Sequence, residues 1–147
     1  MAERRTGGPG GPPAPGDVRR YPYLWARQHE AGETEGRKPR PCALAVTVRR
    51  QDGLTGIVLL AITTQPPGAG RVGIEIPPIE RRRAGLDPDR PLWLILDEHN
   101  TDLLERSAYL EPGDRMGRLS GAFTQRVQRA LIETIRARRS RAVLRFD

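Results

Sequence analysis

Two short segments of the chain carry side chains that suit phosphate chemistry. The first is a basic loop, stiffened by glycine and proline, that ends at Arg40 and feeds an apolar strand from Pro41. The second is an apolar strand that ends in Thr63, Thr64 and Gln65. A guanidinium and a hydroxyl at the edges of neighbouring strands can hold one phosphate, where the guanidinium stabilises developing negative charge. Arg40 and Thr63 are therefore the candidate catalytic pair.

Each of these residues also has an ordinary structural interpretation. Arg40 could be one more exposed loop arginine, and Thr63 a strand-end threonine whose hydroxyl is satisfied locally. Gln65 could begin the turn into Pro66-Pro67. Taken without their neighbours, the residue types favour the structural interpretation for Arg40 and the turn for Gln65.

An acidic run at residues 97–102 offers a second chemistry. Its carboxylates, together with an asparagine, could bind magnesium. Because the run follows a buried strand and is rich in turn formers, a solvated turn is the favoured interpretation. One cysteine and two histidines exclude a disulfide framework and disfavour a zinc site, and Cys42 is expected to be a small buried side chain. We predict no metal or other cofactor.

The charge balance favours a polyanionic partner. The 147 residues include 25 Lys or Arg and 18 Asp or Glu, a formal net charge of +7. Lys38 is the only lysine, so GC-rich coding is another origin for the arginine excess. Arginine binds phosphate well whatever its origin, and charge alone leaves nucleic-acid binding open.

The order of elements predicts a mainly β domain with a C-terminal helix. Residues 1–15 are rich in Gly and Pro and predict a disordered leader, residues 16–138 hold five or six short apolar strands and the helix, and residues 139–147 form a basic tail. The helix follows the capping residue Ser120, and its apolar side chains recur every four residues at Phe123, Val127, Leu131 and Ile135. Without a membrane-length apolar run or a signal peptide, a cytoplasmic protein is expected.

Five motifs follow one another in residues 16–138. They are Gly16-Asp17-Val18, Glu35-Gly36-Arg37, Arg40-Pro41, Thr63-Thr64-Gln65 and the helix from Ser120. In this order the motifs resemble those of the MazF/PemK family of small endoribonuclease toxins. The segments 81–87 and 109–118 are unlike the compact members of that family.

The resemblance implies a small SH3-like β-barrel of the MazF/CcdB type, usually a homodimer. It implies the toxin of a type II toxin-antitoxin system, which inhibits growth by cutting single-stranded mRNA without a metal. Arg40 and Thr63 match the catalytic pair of the family, and an acidic antitoxin segment would occupy the same groove. Further RNA contacts are expected from Glu35, Arg37, Lys38, Thr64 and Gln65.

Two other functions stay open. Gyrase-poisoning toxins are thought to share this architecture, so a non-enzymatic barrel that binds a protein or nucleic-acid partner is the main alternative. A magnesium nuclease that uses Asp97, Glu98 and Asp102 is the third. Glu35 has two possible roles of its own, as a general base or as the ion-pair partner of Arg37, and the ion pair is favoured.

Overall fold

The computed structural model describes residues 11–36 and 38–146 of the chain. Most of the predicted leader and Arg37 therefore lie outside the described residues. Three helices, two 3₁₀ turns and eight strands are found in this part of the chain. In chain order they are β1 (Asp17–Tyr21), α1 (Ala26–Glu30), β2 (Arg40–Arg49), β3 (Thr55–Thr63), β4 (Gly73–Glu75), α2 (Pro78–Arg83), β5 (Trp93–Ile95), β6 (Glu98–Leu103), turns Leu104–Arg106 and Pro112–Asp114, β7 (Arg115–Arg118), α3 (Gly121–Arg136) and β8 (Arg141–Leu144).

The strands form one mostly antiparallel sheet in the order β4-β5-β3-β2-β1-β7. The long strand β3 pairs with two further strands. Its first half pairs with β6, and its last two residues pair with β5. β8 extends the β6 side in parallel. The mainly β class with a helix near the C-terminus is thus confirmed. The family resemblance implies a barrel, but the sheet is open, since among the described strands β4 and β7 end the path unpaired with each other.

The two central strands bury side chains on both faces. From β2, Ala43 and Ala45 join a core that also holds Phe123 and Leu131 of α3. Their neighbours Cys42 and Leu44 join a second core, which is built around Tyr21, Tyr23, Ile57 and Leu59. Burial on both faces explains why these strands read as continuous apolar runs.

The long helix begins as predicted. The Ser120 hydroxyl accepts a hydrogen bond from the Phe123 N–H at 3.1 Å, and the Glu80 carboxylate accepts bonds from the Ser120 N–H and hydroxyl at 2.8 and 2.7 Å. The apolar face is buried only over its first three turns. Ile135, predicted to lie on it, is 44% exposed, as is Ile132.

Two short helices, α1 and α2, were not predicted from the sequence. α1 follows Trp25, whose N–H donates to the side chain of Gln28 at 3.1 Å. α2 begins at Pro78, the residue type that best tolerates the first helical position. A strand expected near residues 108–110 is absent from this described segment, and β7 follows it instead. Short helices lack the periodicity that makes longer ones visible in sequence.

The predicted basic tail contains β8. Val143 of this strand packs in a small cluster with Leu24 and Ala26. The Arg145 guanidinium donates to the Pro22 carbonyl at 2.7 Å and to the Asn100 side-chain oxygen at 3.1 Å. The segment after α3 thus contacts the polypeptide that enters α1. Within the described ranges, no helix is long and apolar enough to cross a membrane.

Candidate active site

The register of β2 against β3 brings the predicted catalytic pair together. Cys42 lies opposite Ala61 in these antiparallel strands, and Arg40 and Thr63 come two residues beyond that pair. Arg40 also lies opposite Tyr21 of β1. Both Arg40 and Thr63 are partly exposed, and both line the same two cavities. The sequence predicts that Arg40 and Thr63 lie at the edges of neighbouring strands, and they do.

The Thr63 hydroxyl is held by the turn that follows it. Its oxygen accepts a hydrogen bond from the Gln65 N–H at 3.1 Å. A hydroxyl carries one donor and two acceptor positions, so this bond leaves the proton available for an anion. The turn that the sequence suggests for Gln65 is therefore present, and it orients the neighbouring candidate residue.

The Arg40 guanidinium packs against Trp25. Its Cζ lies 5.3 Å from the centre of the indole ring, and that of Arg27 lies 5.1 Å from the same ring. In the part of the chain that is described, Arg40 forms no ion pair with a carboxylate. The cation–π contact orients the guanidinium without neutralising its charge.

The first cavity, which we call the Gln65 cavity, has a volume of about 260 Å³. Three guanidinium groups line it, together with Trp25, and one of these groups, that of Arg71, pairs with Asp97. The remaining two, on Arg27 and Arg40, face a concave surface with no fixed counter-ion among the described residues. Such a surface concentrates anions.

A second cavity on the other side of the pair, which we call the Asp87 cavity, has a volume of about 380 Å³. Its wall is apolar apart from the pair itself, Thr64, Arg20, Asp87 and Arg90. Arg40 and Thr63 thus lie at the boundary between two cavities, each of which is lined by three arginines. A phosphate held by this pair would have room for a nucleotide on either side.

The prediction that residues 97–102 form a solvated turn is wrong. This acidic run supports the segment that contains Trp25. Residues 98–103 form β6, and Glu98, Asn100 and Asp102 are buried on it. Asn100 accepts from the Leu24 N–H at 2.9 Å and donates to the Leu24 carbonyl at 2.8 Å. We call these three alternate side chains the β6 ladder, because together they hold the segment 21–26.

The two carboxylates of the β6 ladder have local partners. Asp102 accepts from the Tyr21 hydroxyl at 2.7 Å, and Glu98 accepts from the Ala26 N–H at 2.8 Å and the Tyr23 hydroxyl at 3.3 Å. Burial raises the pKa of both tyrosines, which keeps them protonated as donors. Burial also raises the pKa of the Glu98 carboxyl, although the hydrogen bond from Ala26 opposes that shift.

The magnesium alternative finds no support in these contacts. Its three carboxylates would have to converge, yet Asp102 binds Tyr21, Glu98 binds Ala26, and Asp97 pairs with Arg71. No group of three or more His, Cys, Asp or Glu suited to a metal ion occurs among the residues that the structure describes. Cys42 is fully buried as predicted, and burial raises the pKa of its thiol well above the usual value.

The remaining predicted RNA contacts are dispersed. Gln65 lines the first cavity, Thr64 lines the Asp87 cavity, and Lys38 lines a third cavity together with Arg40 and Trp25. Glu35 is exposed in the loop before β2 and lines none of these three cavities. Arg37 lies outside the described residues, so the proposed ion pair between it and Glu35 stays a prediction.

Gly16-Asp17-Val18 is a structural motif in this fold. Gly16 has a φ of +96°, and a Cβ there would lie 2.8 Å from the Thr124 hydroxyl. The Asp17 carboxylate is fully buried and forms ion pairs with three arginines, namely Arg19, Arg115 and Arg118. We call this set the Asp17 cluster. It joins β1 to β7 and does not reach the cavities beside Thr63.

The sequence predictions missed Arg27 and Arg71. They favoured a core role for at least two of Tyr21, Tyr23 and Trp25, and all three are buried in the second core. A basic residue two positions after a tryptophan is a weak sequence signal for the cation–π contact between Arg27 and Trp25. A scan against models of known protein families finds no match to this chain, and a search of curated proteins also finds none.

Proposed function

We propose that this protein is a metal-independent endoribonuclease that cuts single-stranded RNA. The observation that supports this proposal is that Arg40 and Thr63 lie at the ends of neighbouring strands and line the same two cavities. A guanidinium without a carboxylate partner among the described residues, beside an oriented hydroxyl, is an arrangement that suits a phosphodiester. The resemblance to MazF/PemK toxins supplies the reaction class.

In the proposed reaction, the ribose 2′-hydroxyl attacks the adjacent phosphorus and loses its proton to solvent. The bond to the 5′-oxygen of the next nucleotide breaks, and that oxygen takes up a proton. The products are a 2′,3′-cyclic phosphate and a 5′-hydroxyl. Arg40 stabilises the charge on the phosphorane, and the Thr63 hydroxyl donates to a non-bridging oxygen. No metal is needed, because the guanidinium supplies the positive charge.

The charge of the Gln65 cavity supports a polyanionic substrate. Arg27 and Arg40 offer two guanidinium groups along one cleft, and Trp25 holds both. A strand of RNA crossing the pair would release counter-ions from several phosphates, so we expect affinity to fall steeply with salt. The same cleft suits an acidic antitoxin segment, which would compete with RNA. A homodimer belongs to the same proposal.

The test is cleavage of a long single-stranded RNA in excess chelator. We expect wild-type protein to release cyclic-phosphate ends, and Thr63→Val to reduce the rate by about tenfold to a hundredfold, because the isosteric change removes only the hydroxyl. Thr47→Val on the exposed part of β2 is the matched control and should keep the full rate.

The outcome separates the two leading functions. Cleavage that survives chelation and fails in Thr63→Val supports the ribonuclease. Binding of RNA or of a protein partner without cleavage, by correctly folded protein, favours the non-enzymatic alternative. Cleavage that the chelator abolishes would contradict the metal-independent mechanism.

A further inference from the structure

The Asp87 cavity has the composition of a pocket for a nucleobase. Apolar side chains form much of its wall, and Arg40 and Thr63 bring the candidate catalytic centre to its edge. Its volume of about 380 Å³ is in the range of small-ligand sites. A flat base can lie against such a wall while its polar edge meets a few placed groups. The apolar side chains are Ile62, Leu86, Leu92 and Met116.

Among the described residues that line this cavity, Asp87 is the one acidic residue. One of its oxygens accepts a hydrogen bond from the Asp89 N–H at 2.9 Å. A carboxylate has about four acceptor positions, so most of its capacity is left for a ligand. In the described parts of the chain it forms no ion pair with Arg20 or Arg90, which line the same cavity.

The backbone around Asp87 is fixed to the sheet. The buried Arg81 guanidinium donates to the Ile76 carbonyl at 2.7 Å and to the Pro88 carbonyl at 2.9 Å. Gly85 has a φ of +74°, and a Cβ there would lie 2.4 Å from the Met116 carbonyl oxygen. These contacts give Asp87 a defined position, as a group that discriminates between ligands requires.

We propose that the Asp87 cavity binds a base next to the cleaved phosphate and that Asp87 selects guanine. This inference rests on the proposed function for the position of the phosphate. Guanine presents two adjacent donors, N1–H and the N2 amino group, which match the two oxygens of a carboxylate. Adenine and cytosine present one amino group beside an acceptor, and uracil presents N–H between two carbonyls that the carboxylate repels. Asp87 is therefore a specificity-determining residue.

The test measures binding, so that it does not depend on cleavage. The probes are 2′-O-methyl octamers of uridine, either uniform or with one central guanosine, adenosine or cytidine, which lack the attacking hydroxyl. We expect the guanosine octamer to bind wild type about tenfold more tightly than the uniform one. Asp87→Asn should abolish that preference, and the neighbouring exposed Asp89→Asn should retain it.

The results distinguish this inference from the proposed function. A guanosine preference that depends on Asp87, in a protein that does not cut unmodified RNA, supports the subsite and rejects the ribonuclease. Cleavage of RNA with no guanosine preference rejects the subsite alone. Equal preference in wild type and Asp87→Asn, or no binding of any octamer, overturns the inference.

Discussion

Arginine side chains lie near both ends of strand β1, and their partners differ between the two ends. Near Asp17, three guanidinium groups form ion pairs with one fully buried carboxylate. Near Tyr21, the neighbouring Arg40 packs on Trp25 and, within the described residues, has no carboxylate partner. The same residue type is therefore structural at one end and free to bind an anion at the other. A count of arginines cannot separate the two roles, whereas the position of one aspartate can.

The largest expected effect is on stability, at the Asp17 cluster. Asp17→Ala removes the only carboxylate that the ion pairs of the cluster share, and leaves Arg19 buried with its charge. We expect the free energy of unfolding to fall by about 3–5 kcal/mol, measured by urea denaturation. If this variant does not fold, Asp17→Asn should fold with a smaller loss. A change below about 1 kcal/mol in both variants would show that the Asp17 cluster contributes little to stability.

At the other end of β1, the expected effect is on activity. Arg40→Ala should lower the rate of RNA cleavage by about 10²–10³-fold, because charge on the phosphorane loses its guanidinium. The free energy of unfolding should change by less than about 0.5 kcal/mol. Arg129→Ala, an exposed arginine on α3, is the matched control for charge. A stability loss at Arg40 comparable to that at Asp17 would show that both ends are structural.

Substitutions in the β6 ladder should affect both stability and activity, since the ladder stabilises the fold and also positions Trp25. Asn100→Ala leaves the N–H and carbonyl of Leu24 without their partner, so we expect a loss of roughly 2 kcal/mol in unfolding free energy. Cleavage by the folded fraction should fall by about tenfold, less than for Arg40→Ala. Thr101→Ala, one residue along β6, should change both quantities less. Unchanged cleavage in Asn100→Ala would mean that Trp25 needs no such support.

The smallest effect is on pH dependence. Burial raises the folded-state pKa of the Glu98 carboxyl above its ordinary value of 4.5. Between these two values the folded state binds more protons than the unfolded state, so the contribution of Glu98 to stability falls as pH rises and stays low above the folded pKa. Glu98→Gln does not titrate and can still accept from Ala26. Urea midpoints from about pH 4 to pH 8 should therefore decline more for wild type than for Glu98→Gln. Parallel profiles would contradict the shift.

Much of the candidate centre was predictable because it depends on local patterns. Two apolar runs joined by a short turn predict neighbouring antiparallel strands, and Arg40 and Thr63 fall at the open ends of those runs. The burial of Cys42 follows from the same pattern. The helix cap at Ser120 is likewise a local signal.

The support of the site depends on long-range contacts, which the sequence does not display. Glu98 and Asn100 are typical of turns, and only their pairing with the segment that ends at Ala26 makes them suitable for a buried strand. Arg81 belongs to a run of three arginines, yet it is buried, because the nearby carbonyls of Ile76 and Pro88 accept hydrogen bonds from its guanidinium. Whether the sheet closes into a barrel also depends on which edge strands pair, and no residue pattern in the sequence indicates this.

The parallel pairing of β8 with β6 has a consequence for the order in which the protein matures. Arg145 donates to the carbonyl of Pro22, a residue that leaves the ribosome more than a hundred positions earlier. A nascent chain that stops after α3 lacks β8 and Arg145, which contact the segment that leads into Trp25 and α1. We therefore expect the cleft to be completed only after residues 141–145 have been synthesised.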